Sequence, residues 1–340
     1  MERVFTFVLV DTDVGLTGIG DAFGDDTLME HIIDKRIGGM VTGMNPTDIP
    51  ALWQKMFASR AYWEIGGAVL CAISAVEVAC HDIWGQAEGV PVSTLLGGGK
   101  RDWIKAYASD LHWEEAERMA QVAAGYVENG YEFVKTHVGA PGEFDNDIDR
   151  LEQVRAAIGP DVGFMVDINT AFTRHEAVRF GKAIKHINPY WYEEPVAPLD
   201  YEGHAHLRKA HGLKIATGEN LYTVDGFQPM LSAGGCDFAM PDILRCGGIA
   251  QTRLICEAAT RAGVVPTPHN YSSGVGTAAT LHLMAAMPET ELLEFDPTGT
   301  AIYEELFISP LQVERGAVKV PEEPGLGVKL TPELINKYSA

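Results

Sequence analysis

The chain has 340 residues, 46% hydrophobic and 21% charged, which is the composition of a globular protein with one large domain and an appendage, or with two domains. Its net charge of −21 and pI of about 4.8 disfavour nucleic acid and anionic membranes as partners, because both are negatively charged themselves. There is no membrane-spanning apolar run, no export signal and no paired cysteine spacing, so we expect a cytoplasmic protein with buried thiols.

The first hundred residues predict a module of mixed α and β structure. Residues 3–20 contain two β-rich runs around a turn, which predicts an antiparallel hairpin. Residues 27–89 predict helices, with apolar side chains at helical spacing in 68–84 and breaks at 43–50 and 66–67. The glycine run at 96–100 could suggest a phosphate loop, but it follows a helix rather than a strand, so we interpret it as a helix end and a linker. We therefore predict an α+β module over residues 1–103.

From residue 104 onward, strand and helix patterns alternate along the chain. Eight candidate strands favour a closed barrel over an open sheet. They are 104–108, 133–137, 163–166, 190–192, 214–217, 238–240, 264–267 and 292–295. The helices between them include 114–129, 147–158, 175–186, 249–261 and 276–286. We predict a barrel over residues 104–308 and a C-terminal segment, 309–340, that returns to the first module.

Three successive strands end on a carboxylate, and the spacing of these residues is equal. Asp167, Glu193 and Glu219 lie 26 residues apart, which fits one strand, one helix and two loops each. The carboxyl ends of barrel strands form the active site, so the three acids should converge. Carboxylates pressed together repel each other unless a cation neutralises them, and oxygen ligands without cysteine or histidine suit Mg²⁺. Such an ion can bind a substrate carboxylate and stabilise the enediolate formed when the adjacent carbon loses its proton.

Polar side chains follow the other strands as well. His269 and Asp242 could form a pair in which the carboxylate fixes the tautomer of the imidazole and raises its basicity. Lys135 and His137 are two residues apart on one strand and should face the same way. Glu294 ends the last strand. One such residue alone would be read as a solvated loop charge or a helix cap, but agreement among seven strand ends favours an active site.

The ordered set of motifs resembles the enolase superfamily, specifically its mandelate racemase subgroup. The motifs are Lys135-Thr136-His137, Val166-Asp167-Ile168-Asn169, Tyr192-Glu193-Glu194-Pro195, Thr217-Gly218-Glu219-Asn220, Met240-Pro241-Asp242, Cys246-Gly247-Gly248-Ile249, His269, Glu294 and Pro324-Gly325-Leu326-Gly327. The resemblance spans nearly the whole chain. It implies a modified TIM barrel of the (β/α)₇β type with an α+β capping domain formed from both termini, and homo-oligomers are usual for such proteins.

The resemblance also implies roles for individual residues. Asp167, Glu193 and Glu219 would be the Mg²⁺ ligands, and His269 with Asp242 the general acid/base dyad.

Three further residues would bind the substrate: Asn169, Lys135 and Glu294. Of these, Glu294 corresponds to the family acid that, when protonated, hydrogen-bonds the substrate carboxylate. Lys135 matches the first lysine of the family's Lys-x-Lys pair.

The chain departs from the family pattern in two places. His137 replaces the second lysine of that pair, so whether His137 or Lys135 moves protons is open. The chain begins where the family's second strand usually begins, so we expect the first strand and the substrate-covering loop after it to be absent.

The function we expect is Mg²⁺-dependent dehydration of an aldonate or aldarate to a 2-keto-3-deoxy acid. A racemase or epimerase, or a cycloisomerase acting on a sugar-acid ring, would use the same residues. From a different class, a catalytically silent metal-binding scaffold is the remaining alternative. In each case the partner is a small-molecule carboxylate.

Some residues outside this set are also of types that can be functional. Three histidines could suggest a second metal, but we interpret them as surface residues of an outer helix. They are His204, His206 and His211. Three aromatic residues of the first module could line the pocket or pack in the core. They are Trp53, Tyr62 and Trp63. Arg245 is interpreted as structural.

Overall fold

The fold is described by a computed structural model that covers residues 4–58 and 64–339. Tyr62 and Trp63, considered above as pocket residues, lie outside the described residues. The predicted hairpin is present: strands β1 (Phe7–Asp11) and β2 (Thr17–Asp21) pair antiparallel.

Helices follow the hairpin and complete the N-terminal module. They are α1 (Asp26–Ile32), a π-helical segment (Ile33–Ile37), α2 (Gly38–Val41), α3 (Ile49–Ala58), α4 (Ala68–Glu88) and α5 (Val92–Leu95). The 21-residue α4 is apolar enough to cross a membrane by length and composition, but 89% of its most apolar stretch is buried inside the protein. It is the core helix of the module, and β2 packs against it so closely that a Cβ on Gly20 would collide with the Ala75 carbonyl.

The barrel has eight parallel strands separated by seven helices. The strands are β3 (Trp103–Leu111), β4 (Phe133–His137), β5 (Gly163–Asp167), β6 (Trp191–Glu193), β7 (Ile215–Thr217), β8 (Phe238–Ala239), β9 (Val265–Pro266) and β10 (Leu293–Phe295). The helices are α6 (Ala116–Glu128), α7 (Phe144–Ile158), α8 (Arg174–Ile184, extended by a 3₁₀ turn at Lys185–Ile187), α9 (Tyr201–His211), α10 (Thr223–Ala233), α11 (Gly248–Arg261) and α12 (Gly274–Ala286). Of these helices, α10 contains Pro229 and was not among the predicted helices.

Sheet topology confirms the modified TIM barrel. Strands β3 to β9 pair in sequence order, and β10 returns to pair in parallel with β3. The backbone N–H of Glu291, just before β10, donates to the Pro266 carbonyl of β9 at 3.1 Å, which brings the last two strands together. In the register of the sheet, Asp167 is opposite both His137 on β4 and Glu193 on β6. The strand ends that carry the predicted site therefore lie at one level.

Two apolar layers support these strands. Outward-facing residues such as Val134 and Val166 pack under the helices, whereas large side chains from several strands fill the inside of the barrel. The inner layer consists of Tyr107, Met165, Trp191, Ala216, Phe238, Met240 and Leu292. It lies beneath the ends of the strands and gives the site a rigid floor.

The C-terminal segment contacts both parts of the protein. Helix α13 (Ala301–Glu305) lies between β10 and this segment, which contains β11 (Val313–Glu314), β12 (Ala317–Lys319) and α14 (Pro332–Tyr338). Strand β12 pairs antiparallel with β3, while the Leu326 N–H donates to Asp82 of α4 at 2.8 Å. The domain boundaries at 103 and 308 remain predictions.

Buried polar residues of α4 hold the N-terminal module against the barrel. Glu77 accepts the backbone N–H groups of Ile249 at 2.8 Å and Ala250 at 2.9 Å, at the N-terminus of α11. These donors have no partner within their own helix, and the carboxylate also complements the helix dipole. Trp53 donates from Nε1 to the Gly247 carbonyl at 2.9 Å, so it belongs to this interface. The five cysteines are free and buried, as predicted.

Candidate active site

The three carboxylates of the equally spaced strands converge. Asp167, Glu193 and Glu219 each offer an oxygen, these oxygens all lie within 4.8 Å of one another, and the three residues are buried. Asp167 and Glu193 end their strands, whereas Glu219 follows β7 after a turn at Gly218. Gly218 has a φ of +133°, and a Cβ there would come within 2.7 Å of the Phe227 ring, so glycine allows the chain to turn.

Lys135 is enclosed by carboxylates beneath the triad. Its Nζ lies 2.7 Å from Glu193 Oε1, 2.7 Å from Glu294 Oε1 and 3.6 Å from Asp167 Oδ2, and the side chain is fully buried. Burial disfavours the ammonium, but Glu193 and Glu294 outweigh it and hold the pKa of Lys135 well above its usual value. These contacts fit a cation that compensates the acids, and a catalytic role for Lys135 stays a prediction.

His269 and Asp242 form the pair that their strand positions predict. A bridge between the two residues extends the pairing of β8 and β9, and His269 Nδ1 lies 2.7 Å from Asp242 Oδ2. The other ring nitrogen, Nε2, lies 3.2 Å from Glu219 Oε2 and 3.7 Å from Glu294 Oε2. Burial lowers the pKa of His269, but Glu219, Glu294 and Asp242 outweigh it and raise the pKa to about 9.

His137 has a similar arrangement on the other flank of the triad. Its Nδ1 lies 3.0 Å from Asn169 Oδ1 and 3.2 Å from Asp167 Oδ2. Asn169 is itself fixed by Asp167, which accepts its backbone N–H at 2.8 Å and its side-chain Nδ2 at 3.1 Å. The His137 side chain is 27% exposed, whereas that of Lys135 is 1% exposed. Both contacts of His137 use Nδ1, so Nε2 is the nitrogen that can meet a substrate.

Glu294 receives three donors at the end of β10. They are the Lys135 ammonium, the Ser109 hydroxyl at 2.5 Å and the backbone N–H of Asn270 at 3.0 Å. Burial favours the protonated acid, but Lys135 and His269 outweigh it and hold the pKa of Glu294 well below its usual range. This arrangement keeps Glu294 ionised, whereas the resemblance implies a protonated donor, so its role toward the substrate stays a prediction.

Two residues that the predicted site did not include support it. Ser109 lies where the register of β3 shifts, and such bulges re-aim side chains near active sites. Glu194 is buried with a φ of +40° and accepts the Gly218 N–H at 2.9 Å, the Asn220 amide at 3.2 Å and the Thr217 hydroxyl. Burial and the neighbouring Glu219 raise the pKa of Glu194 to about 7. Its position beside Glu193 is the sequence signal that could have identified it.

Arg245 lies between the triad and the dyad. Its guanidinium is 3.6 Å from Glu219, 3.5 Å from Asp242 and 3.0 Å from the Asn220 side-chain oxygen, and it stacks on Phe23 of the N-terminal module at 3.9 Å. These contacts agree with a structural and charge-balancing role.

The interpretation of the α9 histidines as surface residues is wrong for His204. This side chain is fully buried and its Nδ1 lies 2.9 Å from the Asp200 carbonyl, one helical turn earlier. Burial lowers the pKa of His204, so it is a neutral core residue. His206 is exposed, and the side chain of His211 lies outside the described part of the chain.

Comparison with known families identifies both parts of the chain. Residues 1–97 match the mandelate racemase / muconate lactonizing enzyme N-terminal domain. Residues 118–334 match the family described as enolase C-terminal domain-like.

Similar proteins of known name are sugar-acid enzymes. The chain is 30% identical to D-galactarolactone cycloisomerase of Agrobacterium fabrum, over 99% of this chain and 92% of that protein. It is 29% identical to D-xylonate dehydratase of Haloferax volcanii, over 97% of this chain and 84% of that protein. Among solved structures, the 3,6-anhydro-D-galactonate cycloisomerase from Zobellia galactanivorans superimposes with a TM-score of 0.93 at 31% identity, covering 99% of this chain and 94% of the other.

Proposed function

Because the chain belongs to the mandelate racemase/muconate lactonizing enzyme family of the enolase superfamily, we propose that it eliminates an oxygen substituent from a sugar acid with the help of Mg²⁺. The observation that carries the proposal is the buried carboxylate triad flanked by a histidine on each side.

The triad suits a small, hard cation. Asp167, Glu193 and Glu219 supply carboxylate oxygens only, and these oxygens lie within 4.8 Å of one another. A divalent cation would stabilise buried carboxylates this close together, in addition to the neighbouring Lys135 and Arg245. When bound, Mg²⁺ would hold the substrate carboxylate and stabilise the negative charge that develops on it as the adjacent carbon loses its proton.

The two histidines supply a base and an acid. They lie at the carboxyl ends of β4 and β9, and the triad lies at the ends of strands between these two. Lys135 is a poor base because its Nζ is held by Glu193 and Glu294 at 2.7 Å. We therefore assign the proton-transfer role on the β4 side to His137, with Nε2 toward the substrate.

The reaction is a β-elimination. His137 Nε2 takes the proton from the carbon next to the carboxylate, and the electron pair forms a double bond to the following carbon as its C–O bond breaks. His269 gives a proton to the departing oxygen. The resulting enol takes up a proton on the third carbon and loses the proton of its C2 hydroxyl, which gives a 2-keto-3-deoxy acid. A hydroxyl leaving group is lost as water, so the overall reaction is dehydration.

Cycloisomerisation is the second candidate, favoured by the named relatives. If the departing oxygen is part of a ring in the substrate, the same steps open the ring and no water is lost. The cycloisomerases of Agrobacterium fabrum and Zobellia galactanivorans are each similar to this chain over 99% of its length.

A substrate screen tests the proposal and separates the candidates. Aldonates, aldarates, aldarolactones and anhydroaldonates are incubated with the chain and Mg²⁺ in D₂O, and the products are followed by NMR. A keto product from an open-chain acid supports dehydration, and one from a cyclic acid supports cycloisomerisation. Exchange or an epimer at C2 without keto product would overturn elimination in favour of a racemase or epimerase. No reaction with any acid would favour the silent scaffold.

Variants of the two histidines test the assignment of roles. His269→Gln should keep C2–H exchange into D₂O while losing elimination, because the base is intact and the acid is gone. His137→Gln should lose both. The opposite result, with exchange retained only in His137→Gln, would exchange the two roles.

We further propose a cytoplasmic homo-oligomer with no nucleic-acid or membrane partner. Light scattering on the purified chain measures the subunit number, and a single-subunit mass would refute the oligomer.

A further inference from the structure

Trp191 occupies an unusual place beneath the carboxylate triad. It lies two residues before Glu193 on β6, so both side chains point into the barrel. The indole Nε1 donates to Glu193 Oε2 at 2.7 Å, while Lys135 holds Oε1 at 2.7 Å. Both oxygens of this carboxylate are thus held by fully buried donors of the chain. Each oxygen keeps a second lone pair that can face an ion.

The indole itself is fixed by the inner layer of the barrel. Tyr107 meets it edge-on at 5.3 Å between ring centroids and an interplanar angle of 88°, and Phe238 packs at 5.0 Å. Aromatic contacts of this kind hold a ring in one orientation. The Nε1–H donor is consequently oriented toward Glu193 before an ion binds, so ion binding does not have to restrict the motion of the indole.

The other two carboxylates of the triad are preceded, two residues earlier, by a different kind of side chain. Met165 precedes Asp167 by two residues and is apolar, and the Thr217 hydroxyl, two residues before Glu219, donates to Glu194 instead. Of these three residues, each two positions before a carboxylate of the triad, Trp191 is therefore the one whose side chain donates to that carboxylate. Glu193 is also the middle member of the triad in strand order, so its orientation decides whether the three oxygens converge.

We propose that Trp191 is a positioning residue for the metal site: its indole N–H holds Glu193 in the orientation that binds the divalent ion. An uncharged donor achieves this without adding a second cation beside Lys135 that would compete with the ion. Partners of metal ligands commonly contribute about 10- to 100-fold to metal affinity. The inference rests on the metal site of the proposed function.

Trp191→Phe tests the proposal because phenylalanine keeps an aromatic ring in the core and removes the N–H. Mg²⁺ binding to the metal-depleted chain is measured by isothermal titration calorimetry, with circular dichroism to verify folding. We expect affinity to fall about 10- to 100-fold. An unchanged affinity in folded protein would overturn the proposal, because it would mean that Trp191 serves packing alone.

A matched control removes the same kind of bond elsewhere. Trp113 donates from Nε1 to Asp147 Oδ1 at 3.0 Å, outside the triad, so Trp113→Phe should leave Mg²⁺ affinity unchanged. An equal loss in both variants would indicate a general effect of losing an indole and would overturn the proposal. If Trp191→Phe does not fold, 3-benzothienylalanine at 191 replaces it, since that residue keeps the fused ring and has sulfur in place of N–H.

A double-mutant cycle tests whether Trp191 acts through Glu193. In a Glu193→Gln background the added Trp191→Phe change should weaken Mg²⁺ binding little further, because the carboxylate it orients is gone. Fully additive losses would refute the mechanism. Failure of the unmodified chain to bind Mg²⁺ would refute the proposed function, whereas equal binding by Trp191→Phe and the unmodified chain would refute this inference alone.

Discussion

His282 shows how one buried side chain should make the fold sensitive to acid. It is fully buried in α12, where Nδ1 accepts the Ser93 backbone N–H at 3.3 Å and Nε2 donates to the Leu326 carbonyl at 3.2 Å. Burial lowers the pKa of His282 from 6.5 to about 4, because the imidazolium would lose its hydration. We predict that the unmodified chain loses stability in acid because its unfolded state protonates His282. The variant His282→Gln has no imidazole to protonate, so it should not show this loss.

The direction in which stability changes with pH follows from which state of the chain, folded or unfolded, binds the proton. Between pH 6.5 and about 4 the unfolded chain protonates this histidine and the folded chain does not, so falling pH favours unfolding. From about pH 7.5 to about pH 4.5 this amounts to about 2.5 kcal/mol of lost unfolding free energy. Asp21 and Asp82 act in the opposite direction, because burial raises both pKa values from 3.8 to about 6. Their protonation stabilises the fold as pH falls, so the unmodified chain alone is not diagnostic.

Urea unfolding of the unmodified chain and His282→Gln at the two pH values isolates the effect. The glutamine amide can still donate to Leu326, and its stability relative to the unmodified chain should improve by about 2.5 kcal/mol at the lower pH. His206→Gln, at an exposed position of α9, is the control and should give the same small difference at both. A His282→Gln difference that does not change with pH would refute the reasoning.

Three further predictions concern the site and its support. Lys135→Met leaves Glu193 and Glu294 buried without their cation, and urea unfolding should show a loss of about 3–5 kcal/mol; unchanged stability would contradict the charge balance described here. Gly20→Ala should destabilise by about 1–3 kcal/mol in the same assay because its Cβ meets the Ala75 carbonyl, whereas Gly39→Ala, in open space, should not. Mg²⁺ should raise the melting temperature of the unmodified chain, and Glu219→Gln should abolish most of that rise; an equal rise in both would count against Glu219 as a ligand.

The sequence allowed the barrel and the triad to be predicted because their signals are local. Each strand is a short apolar run, and the strand ends fall on polar residues that a regular repeat places at one level. Asp167, Glu193 and Glu219 therefore needed only the spacing of 26 residues and the rule that parallel strands end together.

Residues whose roles depend on distant partners could not be predicted in the same way. The sequence leaves the role of Lys135 open because its pairing with Glu294 joins strands 159 residues apart, which no local pattern indicates. The sequence predicts an exposed His204 because a histidine carries little information about which helix face it occupies, but packing buries this side chain. Glu77 caps a helix of the barrel from the other module, so its function exists only after the two parts have docked.

An imidazole at position 137 suits an elimination better than the ammonium it replaces. Elimination needs a base and an acid at one pH, and a lysine serves as base only if its environment lowers its pKa strongly, which histidine does not require. Of the two oxygens that hold His137, Asp167 belongs to the proposed metal site and Asn169 is uncharged. His269 keeps Asp242, which is no metal ligand, at 2.7 Å. Burial lowers the pKa of His137, but the contact with Asp167 outweighs it and raises the pKa. An ion held by Asp167 would draw on the same negative charge, so the proposed roles, His137 as base and His269 as acid, apply to the metal-loaded site.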